Sequence, residues 1–219
     1  MPGAAAAGTA RVATSDASVR GEPVTSEVIS RLVFEARPGE RNRLRVSVGA
    51  SAFTVTDRVA VTAGKGCTRR SRRVVRCKIV ETASTLSARL GDRSDLLTVS
   101  GSFRQGRDGG DTTLRISGGA GDDRILLGRR TGGSPFTASL KGGSGNDLLD
   151  SPSSSNFFVG GPGNDVMLGG RGPDLFDEGT RSNGRDTMVG KKQFTLLDDE
   201  VSYREAPARS EGRPRRQAR

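Results

Sequence analysis

Residues 142–150 read GGSGNDLLD, and residues 160–168 and 169–177 repeat the pattern back to back as GGPGNDVML and GGRGPDLFD. An earlier copy, GGAGDDRIL, spans residues 118–126. All four copies fit G-G-x-G-x-D-x-U-x, where U is apolar, which is far more agreement than chance provides. This part of the chain is therefore predicted to consist of a nine-residue structural repeat.

An apolar residue keeps the nine-residue phase even where the glycines are missing. Residues 151–159 lack them, yet Asn156 stands at the aspartate position and Phe158 at the apolar one. The apolar series is Leu140, Leu149, Phe158, Met167 and Phe176. A flexible glycine linker has no reason to keep this spacing, so we predict an ordered structure.

The spacing within each copy predicts a turn followed by a short strand. A glycine-rich six-residue turn can adopt left-handed backbone angles and point carbonyl groups inward, and the aspartate at its sixth position adds carboxylate oxygens. The x-U-x triplet suits a strand whose central side chain enters a core. Two nonapeptides complete one coil, so residues 18 apart stack. We predict an all-β fold, a parallel β-roll preceded by a small β-rich region.

The repeats resemble the RTX, or hemolysin-type, calcium-binding repeat family. That resemblance implies a nonapeptide solenoid whose turns bind Ca²⁺ between neighbouring coils. Residues 36–40, 53–57, 61–67 and 90–92 are also similar to the region that precedes such repeats in secreted actinobacterial calcium-binding proteins, and residues 199–203 to the segment that often follows them. The cofactor that we expect is therefore calcium.

The repeat phase assigns the aspartates to edges, because turns alternate between the two edges of a roll. Insertions at residues 127–132 and 178–180 are allowed for. One edge then has an aspartate at every coil: Asp95, Asp123, Asp147, Asp165 and Asp186. The opposite edge has Leu114, Ala138, Asn156 and Asp174. We predict most calcium on the aspartate-rich edge.

The predicted metal ligands are turn residues of the repeats. The aspartates are Asp123, Asp147, Asp165, Asp174 and Asp186, and the glycines are Gly119, Gly121, Gly143, Gly145, Gly161, Gly163, Gly170 and Gly172. We expect the best site between the Asp147 and Asp165 turns. Extracellular sites with few carboxylates bind at about 10⁻⁴ to 10⁻³ M, so calcium here is expected to be a structural ion.

In the front half of the chain, short runs rich in Val, Thr, Leu and Phe predict strands, and no 3.6-residue helical period is present. The candidates are residues 27–35, 43–48, 53–56, 74–80, 85–90 and 96–99. The domain organisation is then a disordered lead (1–24), a β-rich region (25–100), the roll (101–200) and a disordered basic tail (201–219). Phe194, Leu196 and Leu197 are the apolar residues expected to cap the last coil.

Cys67 and Cys77 enclose an arginine-rich loop and allow two interpretations. They form a disulfide across a hairpin, which implies an oxidising compartment, or they are two reduced, partly buried thiols. The arginines between them are Arg69, Arg70, Arg72, Arg73 and Arg76. This loop is either an anion-binding patch or a solvated hairpin tip without stacking aromatic residues.

Composition excludes several classes of function. The chain has no histidine, which removes Ser-His-Asp and Cys-His catalysis and histidine-ligated zinc. No H-E-x-x-H or G-x-S-x-G motif is present, so we do not expect an enzyme.

No stretch approaches the roughly 18 apolar residues of a membrane span. Net charge is +9 in residues 1–90, −3 in 91–200 and +4 in 201–219, which argues against a uniformly cationic nucleic-acid binder.

We therefore expect a secreted or cell-surface structural or interaction protein in which calcium drives folding of the roll, although residues 1–10 are not a complete signal peptide. One alternative is a module in which the hairpin at residues 69–76 binds an anionic polymer or a cell-surface partner and the roll is a spacer. Another is a non-catalytic fragment of an RTX enzyme.

Overall fold

The computed structural model describes residues 8–16, 28–80, 83–103, 114–128, 137–152, 155–170, 172–177, 184–190 and 200–202. Its strands are β1 (Gly8–Asp16), β2 (Val28–Glu35), β3 (Arg43–Val48), β4 (Ala52–Thr56), β5 (Val61–Ala63), β6 (Cys67–Ser71), β7 (Val74–Lys78), β8 (Ala83–Gly91), β9 (Leu96–Gly101), β10 (Leu114–Ala120), β11 (Arg124–Leu127), β12 (Thr137–Ser144), β13 (Leu148–Asp150), β14 (Ser155–Val159), β15 (Val166–Leu168), β16 (Asp174–Asp177), β17 (Thr187–Val189) and β18 (Glu200–Ser202). Within these residues no helix is long and apolar enough to cross a membrane.

Two nine-stranded sheets contain all of these strands. The first has the order β18-β16-β14-β12-β10-β8-β2-β1-β5, and the second β17-β15-β13-β11-β9-β3-β4-β7-β6. From β8 to β18 the chain changes sheet at every strand, and the neighbours within each sheet are parallel. Each coil of the roll therefore consists of two successive strands, one in each sheet. The prediction of an all-β roll is confirmed.

The nine-residue apolar series forms the core between the two sheets. Each of its members is at most 2% exposed: Leu140, Leu149, Phe158, Met167 and Phe176. The rings of Phe158 and Phe176 stack with centroids 5.1 Å apart. Leu140 pairs with Phe158 in one sheet and Leu149 with Met167 in the other, so residues 18 apart stack as the spacing predicts.

The two sheets continue from the repeats into the front half without a break. Strand β8 pairs in parallel with β10 on one side and with β2 on the other, and β9 does the same with β11 and β3. The pairs β2–β3 and β8–β9 are therefore two further coils. The six strands predicted from the front half correspond to β2, β3, β4, β7, β8 and β9.

Antiparallel strands close the N-terminal end of the roll. The expected disorder of residues 1–24 is wrong for residues 8–16, because β1 pairs antiparallel with β2 along its length and buries Ala10 and Val12. These side chains are small, so the strand has little hydrophobic signal in the sequence. In the second sheet, β4 covers β3 in the same antiparallel manner. End strands of this kind meet the need of a solenoid for a cap.

The C-terminal predictions are only partly within the described residues. Strand β18 pairs with β16 and includes Val201 and Ser202, so the expected disorder of the tail is wrong for these two residues. The proposed apolar cap at Phe194, Leu196 and Leu197, and the tail from residue 203 onward, lie outside the residues that the structure describes.

Strands β6 and β7 form an antiparallel hairpin at the edge of the second sheet. Cys67 lies opposite Cys77, and the two form a disulfide. Of the two interpretations left open by the sequence, the structure contains the disulfide. Sheet pairing continues from β7 to β4, where Phe53 lies opposite Cys77 and both are fully buried.

Removing this disulfide should destabilise the N-terminal end of the protein. For a Cys67→Ala, Cys77→Ala variant we expect a loss of about 2 to 3 kcal/mol, because the crosslink closes a loop of ten residues. Urea unfolding monitored by circular dichroism measures this loss. An unchanged unfolding midpoint would show that β4 and β6 hold β7 in place without the crosslink.

Candidate metal centre

Aspartates at the ends of the turns form a column along one edge of the roll. Each accepts, through Oδ1, a hydrogen bond from the backbone N–H of the equivalent residue one coil nearer the N-terminus. The donor–acceptor pairs are Asn42–Asp95 (2.6 Å), Asp95–Asp123, Asp123–Asp147, Asp147–Asp165 and Asp165–Asp186 (2.8 Å each). The structure thus places four of the five predicted aspartates, with Asp95, in a single stack.

The second carboxylate oxygen of these aspartates is buried without a hydrogen-bond partner. The atoms are Oδ2 of Asp95, Asp123, Asp147, Asp165 and Asp186. Except for half-buried Asp186, the side chains are at most 3% exposed. A buried, ionised oxygen without a partner is costly, and a cation is one of the few groups that can compensate it.

In three of these turns, those of Asp123, Asp147 and Asp165, the unpartnered oxygen faces the first glycine of the turn. A Cβ added at Gly142 would lie against Oδ2 of Asp147, and one added at Gly160 would lie 2.5 Å from Oδ2 of Asp165. The same relation holds between Gly118 and Asp123. Glycine therefore leaves a space beside these three carboxylates that a side chain would fill.

In the repeat turns, the second glycine lets the backbones of adjacent coils approach closely. Gly143 and Gly161 have φ values of 121° and 106°, in the left-handed region that favours glycine. A Cβ at Gly143 would overlap the carbonyl oxygen of Gly119, and a Cβ at Gly161 that of Gly143. The column thus combines backbone carbonyls and carboxylates, which are the hard oxygen ligands that Ca²⁺ prefers.

Carboxylates alone do not make a site here. Among the described residues, no group of three or more aspartate, glutamate, histidine or cysteine side chains converges on one point. The column places one carboxylate per coil, and successive carboxylates are linked through the backbone. A cation at this edge needs the turn carbonyls for most of its coordination.

Burial raises the pKa of the carboxyl groups in the column. The pKa of Asp123 and that of Asp147 are raised to about 7, mainly by burial and further by neighbouring aspartates, while one backbone N–H opposes the rise. For the same main reason, the pKa of Asp95 and that of Asp165 are raised to about 6. At neutral pH the metal-free column therefore holds negative charge only at a cost in free energy.

A second ladder lies outside the aspartate column and was missed from the sequence. It uses the residue before each aspartate: the Asn146 N–H donates to Oδ1 of Asp122, and the Asn164 N–H to Oδ1 of Asn146, both at 2.8 Å. In this ladder the donor N–H lies on the C-terminal coil of each pair, whereas in the column it lies on the N-terminal coil. Adjacent coils therefore exchange hydrogen bonds in both directions. The recurrent Asn-Asp or Asp-Asp pair was the available signal.

Comparison with known proteins agrees with this geometry. The family model of the RTX calcium-binding nonapeptide repeat matches residues 115–129 and 141–176, with four copies. These segments are RTX-type repeats. They cover less than half of the chain. No curated protein and no solved structure matches the chain. The match supports calcium binding by the nonapeptide repeats.

The opposite edge of the RTX-type repeats has mostly uncharged residues at the positions that correspond to the aspartate column. Its stacked residues are Leu114, Ala138, Asn156 and Asp174. All four are buried, and the Asn156 amide donates to Oδ1 of Asp174 at 2.6 Å. Asp174, with Gly170 and Gly172 in the preceding turn, is thus placed on the edge that has one carboxylate rather than five.

The aspartate column extends beyond the RTX-type repeats. Asp95 and Asn42 continue it in the two coils of the front half, outside the residues that the family model matches. Asn42 is fully buried, and its amide donates to the Leu90 carbonyl at 3.2 Å. The front half therefore shares the backbone architecture of the repeats, and the turn before Asp95 keeps one repeat glycine, Gly91, which has φ of 112° and pairs with Gly119.

A Gly143→Ala substitution should disrupt the stacking of adjacent coils. The new side chain would require a left-handed backbone, which costs about 1 to 3 kcal/mol, and its Cβ would also overlap the Gly119 carbonyl. Gly39→Ala is the matched control, because Gly39 has φ of 80° but no atom within 4 Å of an added Cβ. In thermal unfolding with calcium, we expect the Gly143 variant to lose clearly more stability. Equal losses would mean that the overlap is relieved at no cost.

Proposed function

We propose that this protein is a secreted or cell-surface structural or interaction protein whose β-roll folds when its turns bind calcium. One observation carries the proposal: a column of aspartates with unpartnered Oδ2 atoms, of which those of Asp123, Asp147 and Asp165 lie beside a glycine that leaves room for an ion. The ligands would be Asp123, Asp147, Asp165 and Asp186 with carbonyls of the adjacent turns. Asp174 would serve the opposite edge.

The bound ion would offset two unfavourable contributions to the folding free energy of the metal-free roll. Without a cation, the column holds a stack of carboxylates, nearly all of them buried, and burial and neighbouring aspartates oppose the ionisation of Asp123 and Asp147. The glycine-rich turns also lose much conformational entropy on folding. Calcium binding would compensate both terms, so the binding free energy would appear as folding free energy.

One observation and one general property of calcium sites support a location outside the cytoplasm. The Cys67–Cys77 disulfide is stable in an oxidising compartment. Sites of this type, with few carboxylates, bind at about 10⁻⁴ to 10⁻³ M, which matches extracellular calcium and not the low free calcium of a cytoplasm. RTX-type repeats are structural units, and we propose no catalytic role for this chain.

A calcium titration followed by far-UV circular dichroism tests the proposal. We expect a saturable gain of β signal that EDTA reverses and that Mg²⁺ at the same concentration does not reproduce, because Mg²⁺ demands a tighter octahedral shell. At 10 mM calcium, a site with a Kd near 10⁻⁴ M should add about 2.7 kcal/mol of stability. An unchanged spectrum up to about 10 mM, with no heat of binding in calorimetry, would contradict calcium-dependent folding.

A further inference from the structure

Four arginines line one groove at the N-terminal end of the protein. The groove has a volume of about 520 Å³, and its charged lining residues are Arg41, Arg58, Arg72, Arg73 and Glu40. The arginines come from three segments: the connection from β2 to β3, the loop after β4, and the tip of the β6–β7 hairpin. Only the last of these was visible as a basic patch in the sequence.

Backbone hydrogen bonds hold the three segments in place. The Val61 N–H donates to the Arg72 carbonyl at 2.9 Å, and the Asp57 N–H to the Arg73 carbonyl at 3.1 Å. Buried Asp57 accepts through Oδ1 from the N–H groups of Arg43 (2.7 Å) and Arg58 (2.6 Å). Since the hairpin is also closed by the disulfide, the arginine backbones are fixed before any ligand arrives.

The groove has an excess of positive charge. The two ion pairs found in the described residues, Arg11–Glu35 and Arg89–Glu35, do not involve it. All four arginines of the groove are exposed. Glu40, its acidic residue, accepts a hydrogen bond from the Arg37 N–H at 3.1 Å and is outnumbered four to one. Guanidinium groups gathered in this way favour anions that accept paired hydrogen bonds.

We propose that this groove binds a sugar or polyol that carries two or more sulfate or phosphate ester groups. Its volume falls in the range of about 300 to 1,000 Å³ typical of small-ligand sites, so it exceeds the need of one inorganic anion. The lining contains no aromatic side chain on which a nucleic-acid base could stack. Tetrahedral ester oxyanions match the guanidinium fork, and none of the residues that line the groove is a proposed calcium ligand.

Isothermal titration calorimetry of the full chain in 10 mM calcium tests this site with two probes. Sucrose octasulfate represents sulfate esters, and fructose 1,6-bisphosphate represents phosphate esters. Binding of either probe supports the proposal, and the tighter probe identifies the source of the anion. We expect Arg41→Ala, Arg58→Ala to weaken the tighter probe at least tenfold. Arg41→Lys, Arg58→Lys should give an intermediate loss, because lysine keeps the charge but not the fork.

A matched control removes two charges from the neighbouring groove. Arg70 and Lys78 line a separate groove of about 350 Å³, and we expect Arg70→Ala, Lys78→Ala to change affinity less than twofold. Equal losses in the two double variants would overturn the proposal in favour of diffuse electrostatic attraction. So would equal affinity for hexaglutamate, or no binding of either probe by protein whose circular dichroism spectrum shows it to be folded.

Discussion

Replacing Asp147 and Asp165 by asparagine should abolish most of the calcium response and leave a roll that is folded without calcium. Asparagine keeps Oδ1 as the acceptor for the backbone N–H groups of Asp123 and Asp147, so the column remains connected. It removes the two buried charges that would hold the ion. Far-UV circular dichroism in EDTA and in 10 mM calcium should differ little for this variant, whereas the parent should gain β signal.

The opposite edge supports an asparagine at such a position. Asn156 is 4% exposed in the stack above Asp174, and it accepts from the Ser151 hydroxyl at 2.5 Å while donating to Asp174. A neutral amide is therefore compatible with burial at a turn of this roll. In EDTA at pH 7.5, we expect the double asparagine variant to unfold at a higher temperature than the parent.

Two further variants separate charge from connectivity. Asp147→Ala, Asp165→Ala removes the acceptor as well as the charge, so it should lose the calcium response and also stability. Asp150→Asn is the matched control, because Asp150 lies half-buried on strand β13 and outside the column. A double asparagine variant with the calcium response of the parent would exclude the Asp147 and Asp165 turns as the main site.

The register of the repeats was predictable because one physical requirement recurs at fixed spacing. An apolar side chain must enter the core every nine residues, and this fixes Phe158 over Leu140 and Met167 over Leu149. The insertions did not obscure it, since Ile125 pairs with Leu149 at a spacing of 24. The stacking of the aspartates follows from the same register.

The first coil, β2–β3, was not predictable as part of the roll, whereas Asp95 already placed the turn of the second coil on the aspartate-rich edge. Ile29 pairs with Ala83, 54 residues later, because strands β4 to β7 intervene between the two coils. An insertion of this length between paired strands removes any regular spacing from the sequence. Asn42 takes the aspartate position without the glycine-rich turn that marks the later copies.

The arginine groove was hidden for a related reason. Arg58 has no basic neighbour in the sequence, and Arg41 belongs to a different arginine-rich segment, residues 37–45, which is not part of the hairpin. They approach Arg72 and Arg73 only because β4 pairs with both β3 and β7. Contacts that depend on the order of strands in a sheet produce no regular spacing in the sequence. The predicted calcium turns are formed by consecutive residues, so they could be identified directly.

The stability of the roll should change with pH in opposite directions with and without calcium. The pKa of Asp123 and that of Asp147 are raised to about 7 in the metal-free fold, from an ordinary value of 3.8, chiefly by burial. The folded state then binds protons more tightly than the unfolded chain between these values. Without calcium, the free energy of unfolding should therefore fall as pH rises from about 4 to about 7.

Calcium reverses this dependence because it binds the deprotonated carboxylates. As pH rises through 6 and 7, fewer protons have to be displaced, and the stabilisation gained from calcium should increase. Each proton released on binding contributes about 1.4 kcal/mol per pH unit. Urea unfolding at pH 5, 6, 7 and 8, in EDTA and in 10 mM calcium, measures both slopes.

The double asparagine variant provides the control for these slopes. Since Asp147 and Asp165 no longer titrate in it, both curves should flatten, and the remaining slope in EDTA should come from Asp95 and Asp123, where burial also raises the pKa. Parallel slopes for the parent in the two conditions would contradict competition between calcium and protons at this column. A calcium-dependent gain that stayed constant from pH 5 to 8 would place the ion away from these carboxylates.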